Sequence, residues 1–227
     1  MRKFYKTTLG IATAALLVGG LAACATPAAE PAASPTESAS EEAEPMPLAS
    51  IPELAGVDTQ VALDAGFLEA ITGLGLTPGV TGTATLDGAT GTLSFPITGG
   101  NVDYYDPAES YRPYVQGSVS HDGSGITLTG GDKVVGLSDF RIDPGTSQLF
   151  GTVTLNGELV GNDVYIFNLD GSTLNPLAED ADGNAVLEGT TVLVSPDAAG
   201  LLNETFGVTA VTDTLVVGIA KITVKAA

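Results

Sequence analysis

Beyond residue 51, apolar and polar residues alternate along much of the chain. In Leu149–Leu155, Phe150, Thr152 and Thr154 stand opposite Gly151, Val153 and Leu155, and Val115, Gly117 and Val119 alternate with polar neighbours. A period of two puts one face of a strand on a core and the other in water. Similar runs occur at Thr59–Leu63, Gly82–Leu86, Gly91–Ile97, Tyr114–Ser120, Gly125–Thr129, Lys133–Ile142, Asp163–Leu169, Ala185–Val194 and Leu215–Val224. Turn residues separate them. Asn156-Gly157 predicts a hairpin, Asp87-Gly88 a second turn, and His121-Asp122-Gly123-Ser124-Gly125 a polar hairpin end. Many short strands at this spacing predict a mainly β fold, an antiparallel β-sandwich or barrel-like domain.

Two stretches break the alternation and resemble each other: 61–86 and 192–224. Each reads as strand, short apolar helix, glycine, strand, so two short helices sit in strand-helix-strand units that look like a duplication. Asp64 and Ser195 are predicted N-caps, with Pro196 in the first turn. Phe67, Leu68, Ile71 and Leu74 share one helical face, as do Leu201, Leu202 and Phe206. Gly75 and Gly207 are the predicted stops.

The N-terminal pattern differs again. Arg2, Lys3 and Lys6 precede an apolar run, Leu9–Leu21, and Leu21-Ala22-Ala23-Cys24 closes it. That is an export signal with a cysteine at the cleavage point. The tetrad resembles the lipobox of bacterial lipoproteins, which implies cleavage before Cys24 and lipid on its thiol. Residues 1–23 are then a signal peptide. Residues 24–50 are a lipidated cysteine with a disordered Ala/Pro/Ser/Glu tether, too poor in apolar residues to fold. Residues 51–227 are a single β-rich domain on the extracytoplasmic face of a cell membrane. Two acyl chains suffice for stable anchoring.

Charge and cysteine count narrow the chemistry. The chain has 8 basic and 27 acidic residues. Removing the leader leaves five basic residues (Arg112, Lys133, Arg141, Lys221, Lys225) and a formal charge of −22. Such a surface repels nucleic acid and anionic headgroups. Cys24 is the one cysteine in the chain, so lipidation leaves no thiol for a disulfide, a nucleophile or a metal. Expected partners are the membrane, through Cys24, and a cell-envelope component or small ligand.

The most individual text lies in 93–169, with His121, the single histidine, and a cluster of four of the six tyrosines, Tyr104, Tyr105, Tyr111 and Tyr114, with Tyr165 farther along. It resembles a diffuse group of secreted and surface-anchored bacterial proteins, many of them actinobacterial. The shared phrases are Phe95–Asp103 (FPITGGNVD), Gly117–Leu128 (G-x-V-x-H-x-G-x-G-x-x-L), Leu137–Asp143 (L-x-DF-x-ID) and Leu201–Gly207 (LLNETFG). That likeness implies a β-rich exported module. The chain is also distantly similar to the haem-transport-associated (HtaA-type) domain, through Gly117, Val119, His121, Gly123 and Leu128. This second resemblance implies a histidine supporting a tyrosine-ligated haem. The family's aromatic N-terminal element is not visible, so Tyr104, Tyr105 or Tyr111 would supply the ligand. Read without it, His121 is a solvated or turn-bonded residue at a hairpin end, and the tyrosines are strand residues and a loop lid or, clustered around Pro107 and Pro113, an aromatic binding rim.

Catalytic patterns are sparse. No G-x-S-x-G elbow, P-loop or dinucleotide fingerprint occurs. One histidine makes a poor zinc set. Carboxylate pairs for a cell-wall hydrolase are available among the many acids, but without tryptophan as a sugar platform. Glu179-Asp180-Ala181-Asp182-Gly183-Asn184 resembles part of a calcium loop that lacks its first and last ligands, an acidic turn between strands being the other reading. The chain therefore reads as a non-enzymatic surface binding domain without a resident cofactor. A haem or small-ligand receptor and a cell-wall hydrolase are the alternatives.

Overall fold

Short alternating strands with tight turns bury their apolar faces either by packing two sheets together or by curling one antiparallel sheet around a common interior, and this chain takes the second course. The computed structural model describes residues 45–225. The expected signal peptide, Cys24 and tether residues 25–44 lie outside the described residues. The elements begin with β1 (Ala49–Ile51), β2 (Gly56–Leu63), α1 (Ala65–Gly73), β3 (Thr77–Gly82), β4 (Thr85–Asp87), β5 (Thr92–Pro96) and β6 (Gly99–Tyr104). Next come β7 (Val115–Gly130), β8 (Lys133–Asp143), β9 (Gln148–Leu155) and β10 (Glu158–Asp170). Last are β11 (Ala178–Glu179), β12 (Asn184–Val194), α2 (Pro196–Phe206) and β13 (Val216–Lys225). The sheet runs β1-β6-β7-β8-β9-β10-β12-β13-β2-β5-β4, with β3 beside β7 and β11 beside β12. This is a curled antiparallel half-barrel with two helices, the mainly β class that the alternation predicts. Ala49 and Ser50 pair with Tyr104 and Asp103, so the sheet starts two residues inside the stretch assigned to the tether.

The curl is drawn together where β5 runs on into β6. β5 lies near one end of the strand order and β6 near the other. Between them the Thr98 backbone N–H donates to Ser120 O at 2.8 Å, and Thr98 Oγ1 accepts from Asp122 N at 2.9 Å. Inside lie Val119, Val135, Val153 and Ile166, each at most 2% exposed. Residues 43–227 form one compact unit that contains this entire core. They therefore have what they need to fold without the preceding segment.

Two expected turns behave differently. Asn156 and Gly157 both take positive φ and join β9 to β10, as predicted. The His121–Gly125 stretch does not reverse the chain. β7 is one continuous strand, and its register slips between His121 and Gly125. Opposite it, Asp139 takes φ 52° and β8 slips against β9 between Ser138 and Arg141. Asp139 Oδ1 accepts from Gly123 N at 2.8 Å, and Ser124 Oγ donates to His121 O at 2.9 Å. The turn-forming residues build a bulge. It moves the inward positions from Val119 and His121 to Ile126 and Leu128.

The helices cap as predicted. Asp64 and Ser195 accept from Phe67 N and Ala198 N, and Gly207 closes α2 with φ 69°. α1 stops one residue earlier than expected, on Leu74. The proposed duplication holds only in part. β2 and β12 both flank β13 and end at the same edge of the sheet, so both helices cover one end of the curl. Yet β12 pairs directly with β13, whereas β2 and β3 do not pair, because β3 has crossed to β7. Among the described residues, no helix is long and apolar enough to cross a membrane.

Candidate functional site

Among the described residues, no α-helix covers the end of the curl opposite α1 and α2. Instead it carries the loop 105–114, the β8–β9 turn and the short 3-10 turn Gly171–Thr173. Between them opens a cavity of about 470 Å3. Ile142 on β8, Leu169 on β10, Leu187 on β12 and Ala220 and Ile222 on β13 form its wall, with Leu174 after the 3-10 turn. Arg112, Pro113, Tyr114 and Ser147 stand at the rim, and Thr190 lies on the wall. Leu187 and Thr190 share a face only because β12 is bulged. The register slips between Glu188 and Thr190, and Gly189 sits at φ 111°, where a Cβ would lie 2.5 Å from Thr173 O.

The loop is held by its own aromatic and cationic contacts. Tyr105 N donates to Tyr114 O at 2.7 Å, closing the base of the loop. The Tyr105 and Tyr111 rings lie 4.7 Å apart, and Tyr104 meets Tyr114 edge-on at 6.1 Å. The Arg112 guanidinium sits 5.3 Å from the Tyr114 ring centre. Its Nη1 donates to Glu109 O and Tyr111 O, and its Nη2 to Pro107 O. The fold thus gathers Tyr104, Tyr105 and Tyr111 at one end of the curl. It adds Tyr114 and Arg112, which had not been singled out as site residues. The signal for Arg112 was its rarity, as one of five cations in so acidic a domain, within a tyrosine cluster.

His121 is not brought to this cluster. It is buried at 1% exposure in mid-strand and is not at a solvated hairpin end, a correction that follows from the bulge in β7. Its Nδ1 lies 3.3 Å from Phe140 O and its Nε2 2.8 Å from Thr59 Oγ1. A carbonyl only accepts, so Nδ1 carries the proton and Nε2 accepts from the threonine hydroxyl. Burial pushes its pKa down from 6.5 to about 4, against the opposing pull of the Phe140 carbonyl. The ring therefore stays neutral at pH 7 and ties β7 to β2 across the interior, beside the Thr98 seam. The void it borders is about 50 Å3, lined by apolar side chains and Thr59, with no tyrosine. That void shares Ile142, Leu169 and Ala220 with the end cavity.

The calcium-like loop is a turn held by its own carboxylate. Asp180 accepts from Asp182 N, Asn184 N and Asn184 Nδ2, bonds that hold its carboxyl below the usual range. Among the described residues, no group of three or more His, Cys, Asp or Glu side chains is placed to hold a metal.

In class, the molecule is a curled antiparallel half-barrel with helices at one end and an apolar cavity under an aromatic loop at the other. No family model matches the chain, and no curated protein sequence matches it. Among solved structures it is similar to the C-terminal domain of HtaA from Corynebacterium glutamicum. The TM-score is 0.49 at 16% identity, covering 76% of this chain and 98% of that one, a distant likeness.

Proposed function

We propose that the chain is exported, lipidated on Cys24 and held at the outer face of a membrane. There its β domain binds a small, largely apolar ligand without changing it chemically. The end cavity carries this reading. Small-molecule sites are concave, mostly apolar and roughly 300–1,000 Å3, and this cavity has about 470 Å3. Among the described residues, its lining includes no histidine, lysine or carboxylate, the usual acids and bases of catalysis. Tyr105 and Tyr111 belong to the loop that covers it, while His121 serves the core.

The neutral dye N-phenyl-1-naphthylamine tests the cavity. Residues 43–227 are expected to bind it at one saturable site with enhanced fluorescence. Thr190→Phe, which fills the wall, is expected to weaken that binding at least tenfold while the melting temperature stays within a few degrees. No saturable binding, or equal binding by the variant, would refute the reading. Anchoring has its own check. In a bacterial host, the full chain is expected to incorporate labelled palmitate and stay with membranes, and Cys24→Ala to lose both. Label retained by the variant would contradict it.

A further inference from the structure

The lining of the end cavity differs in charge from the chain as a whole. The sequence carries 27 acidic residues, yet among the described residues none lines the cavity, and Arg112 is the one charged side chain there that does. The nearby acids are turned to other work. Asp143 accepts from Thr146 N and lies 4.0 Å from Arg141, and Asp170 accepts from Ser172 N. Among the described residues the ion pairs all belong to Arg141, with Asp143 and Asp163, so Arg112 has no carboxylate partner.

Arg112 is nevertheless held in place. Three of its N–H groups go to loop carbonyls and its plane rests near Tyr114. A guanidinium has five N–H donors, so two remain for an outside acceptor. Oriented arginines of this kind suit a two-oxygen anion. Below the rim the walls are aliphatic, and Ile142, Leu169 and Ala220 border both the cavity and the interior void beside His121. The chain also enters the sheet at this end. Leu48 N donates to Tyr104 O, and Ala49 and Ile51 line a smaller void that shares Val115, Leu187 and Ile222 with the cavity.

We infer that the ligand of this cavity is a single-chain aliphatic amphiphile with a carboxylate head, its head on Arg112 and its chain in the aliphatic throat. The inference rests on the cavity reading above and adds the ligand's class and polarity.

Displacement of N-phenyl-1-naphthylamine from residues 43–227 separates the parts. Dodecanoate, below its micellar concentration, is expected to displace the dye at least tenfold more tightly than dodecanol, with dodecyltrimethylammonium weakest. Arg112→Gln is expected to weaken dodecanoate at least tenfold more than it weakens dodecanol or the dye, so that acid and alcohol bind alike. Arg112→Lys keeps part of the preference. Equal affinity for acid and alcohol overturns the inference and leaves the cavity reading standing. So does an equal loss of both ligands in Arg112→Gln, which would make the arginine a loop staple only. Haemin displacing the dye more tightly than any aliphatic carboxylate would overturn the aliphatic assignment. Failure of the dye itself to bind would sink both readings.

Discussion

His121→Ala is expected to lower the unfolding free energy by about 4 kcal/mol, read as a fall in the urea midpoint with an unchanged slope. Truncating a large buried side chain to alanine typically costs about 3–5 kcal/mol through lost burial and the cavity left behind. His121 is 1% exposed, and Phe95 packs edge-on against its ring at 6.5 Å. The change also strands two buried polar groups, the Thr59 hydroxyl and the Phe140 carbonyl. Each such group costs about 1–3 kcal/mol when left unpaired. The pairing itself can be tested. His121→Phe restores bulk but keeps Thr59 unpaired, whereas His121→Phe with Thr59→Val removes both partners of that bond. The double variant is expected to be more stable than His121→Phe alone by about 1 kcal/mol or more. If the two are equally stable, the Thr59 bond contributes nothing. If His121→Ala is as stable as the parent, His121 has no part in closing the curl.

The burial of His121 marks what local sequence pattern conveys and what it omits. The run His121–Gly125 has the composition of a turn, and Gly123 does take φ 73°. That composition specifies a positive φ, not a chain reversal. Whether the strand reverses or bulges depends on its neighbours, here Asp139 and Thr98, which come from two other strands or their links. β6 was not legible either. No strand is expected at 99–104, and Gly100 is there for close approach, since a Cβ would lie 1.9 Å from Ser118 O. By contrast the helix caps, the Asn156-Gly157 hairpin and most long strands were legible, because each rests on residues adjacent in sequence. For the site, the clustering of Tyr104, Tyr105 and Tyr111 was legible for that reason. The cavity wall was not. It is assembled from β8, β10, β12 and β13, and Leu187 and Thr190 join it only through the bulge at Gly189.

The same buried ring makes stability depend on pH in a window where most side chains are silent. His121 titrates near 6.5 when unfolded and near 4 when folded. Between those values the unfolded chain binds a proton that the folded one refuses, so stability falls as the solution is acidified. Its contribution is complete above pH 6.5, is lost progressively as pH falls toward 4, and is level below that. The difference of about 2.5 pKa units corresponds to roughly 3 kcal/mol at about 1.4 kcal/mol per unit. By pH 5 the loss is about 2 kcal/mol. Other groups act at different pH or with the opposite sign. Asp87, Asp170 and Asp180 are held below 3.8 by hydrogen bonds, so their contributions are lost only in stronger acid. Protonating other carboxylates relieves repulsion in an acidic domain and works against the histidine. The informative quantity is therefore a difference between two proteins. Urea unfolding of the parent and of His121→Gln, each at pH 7.5 and pH 5, is expected to show the parent losing about 2 kcal/mol more than the variant. Parallel losses would mean that His121 titrates alike in both states, and that the ring reaches water without unfolding.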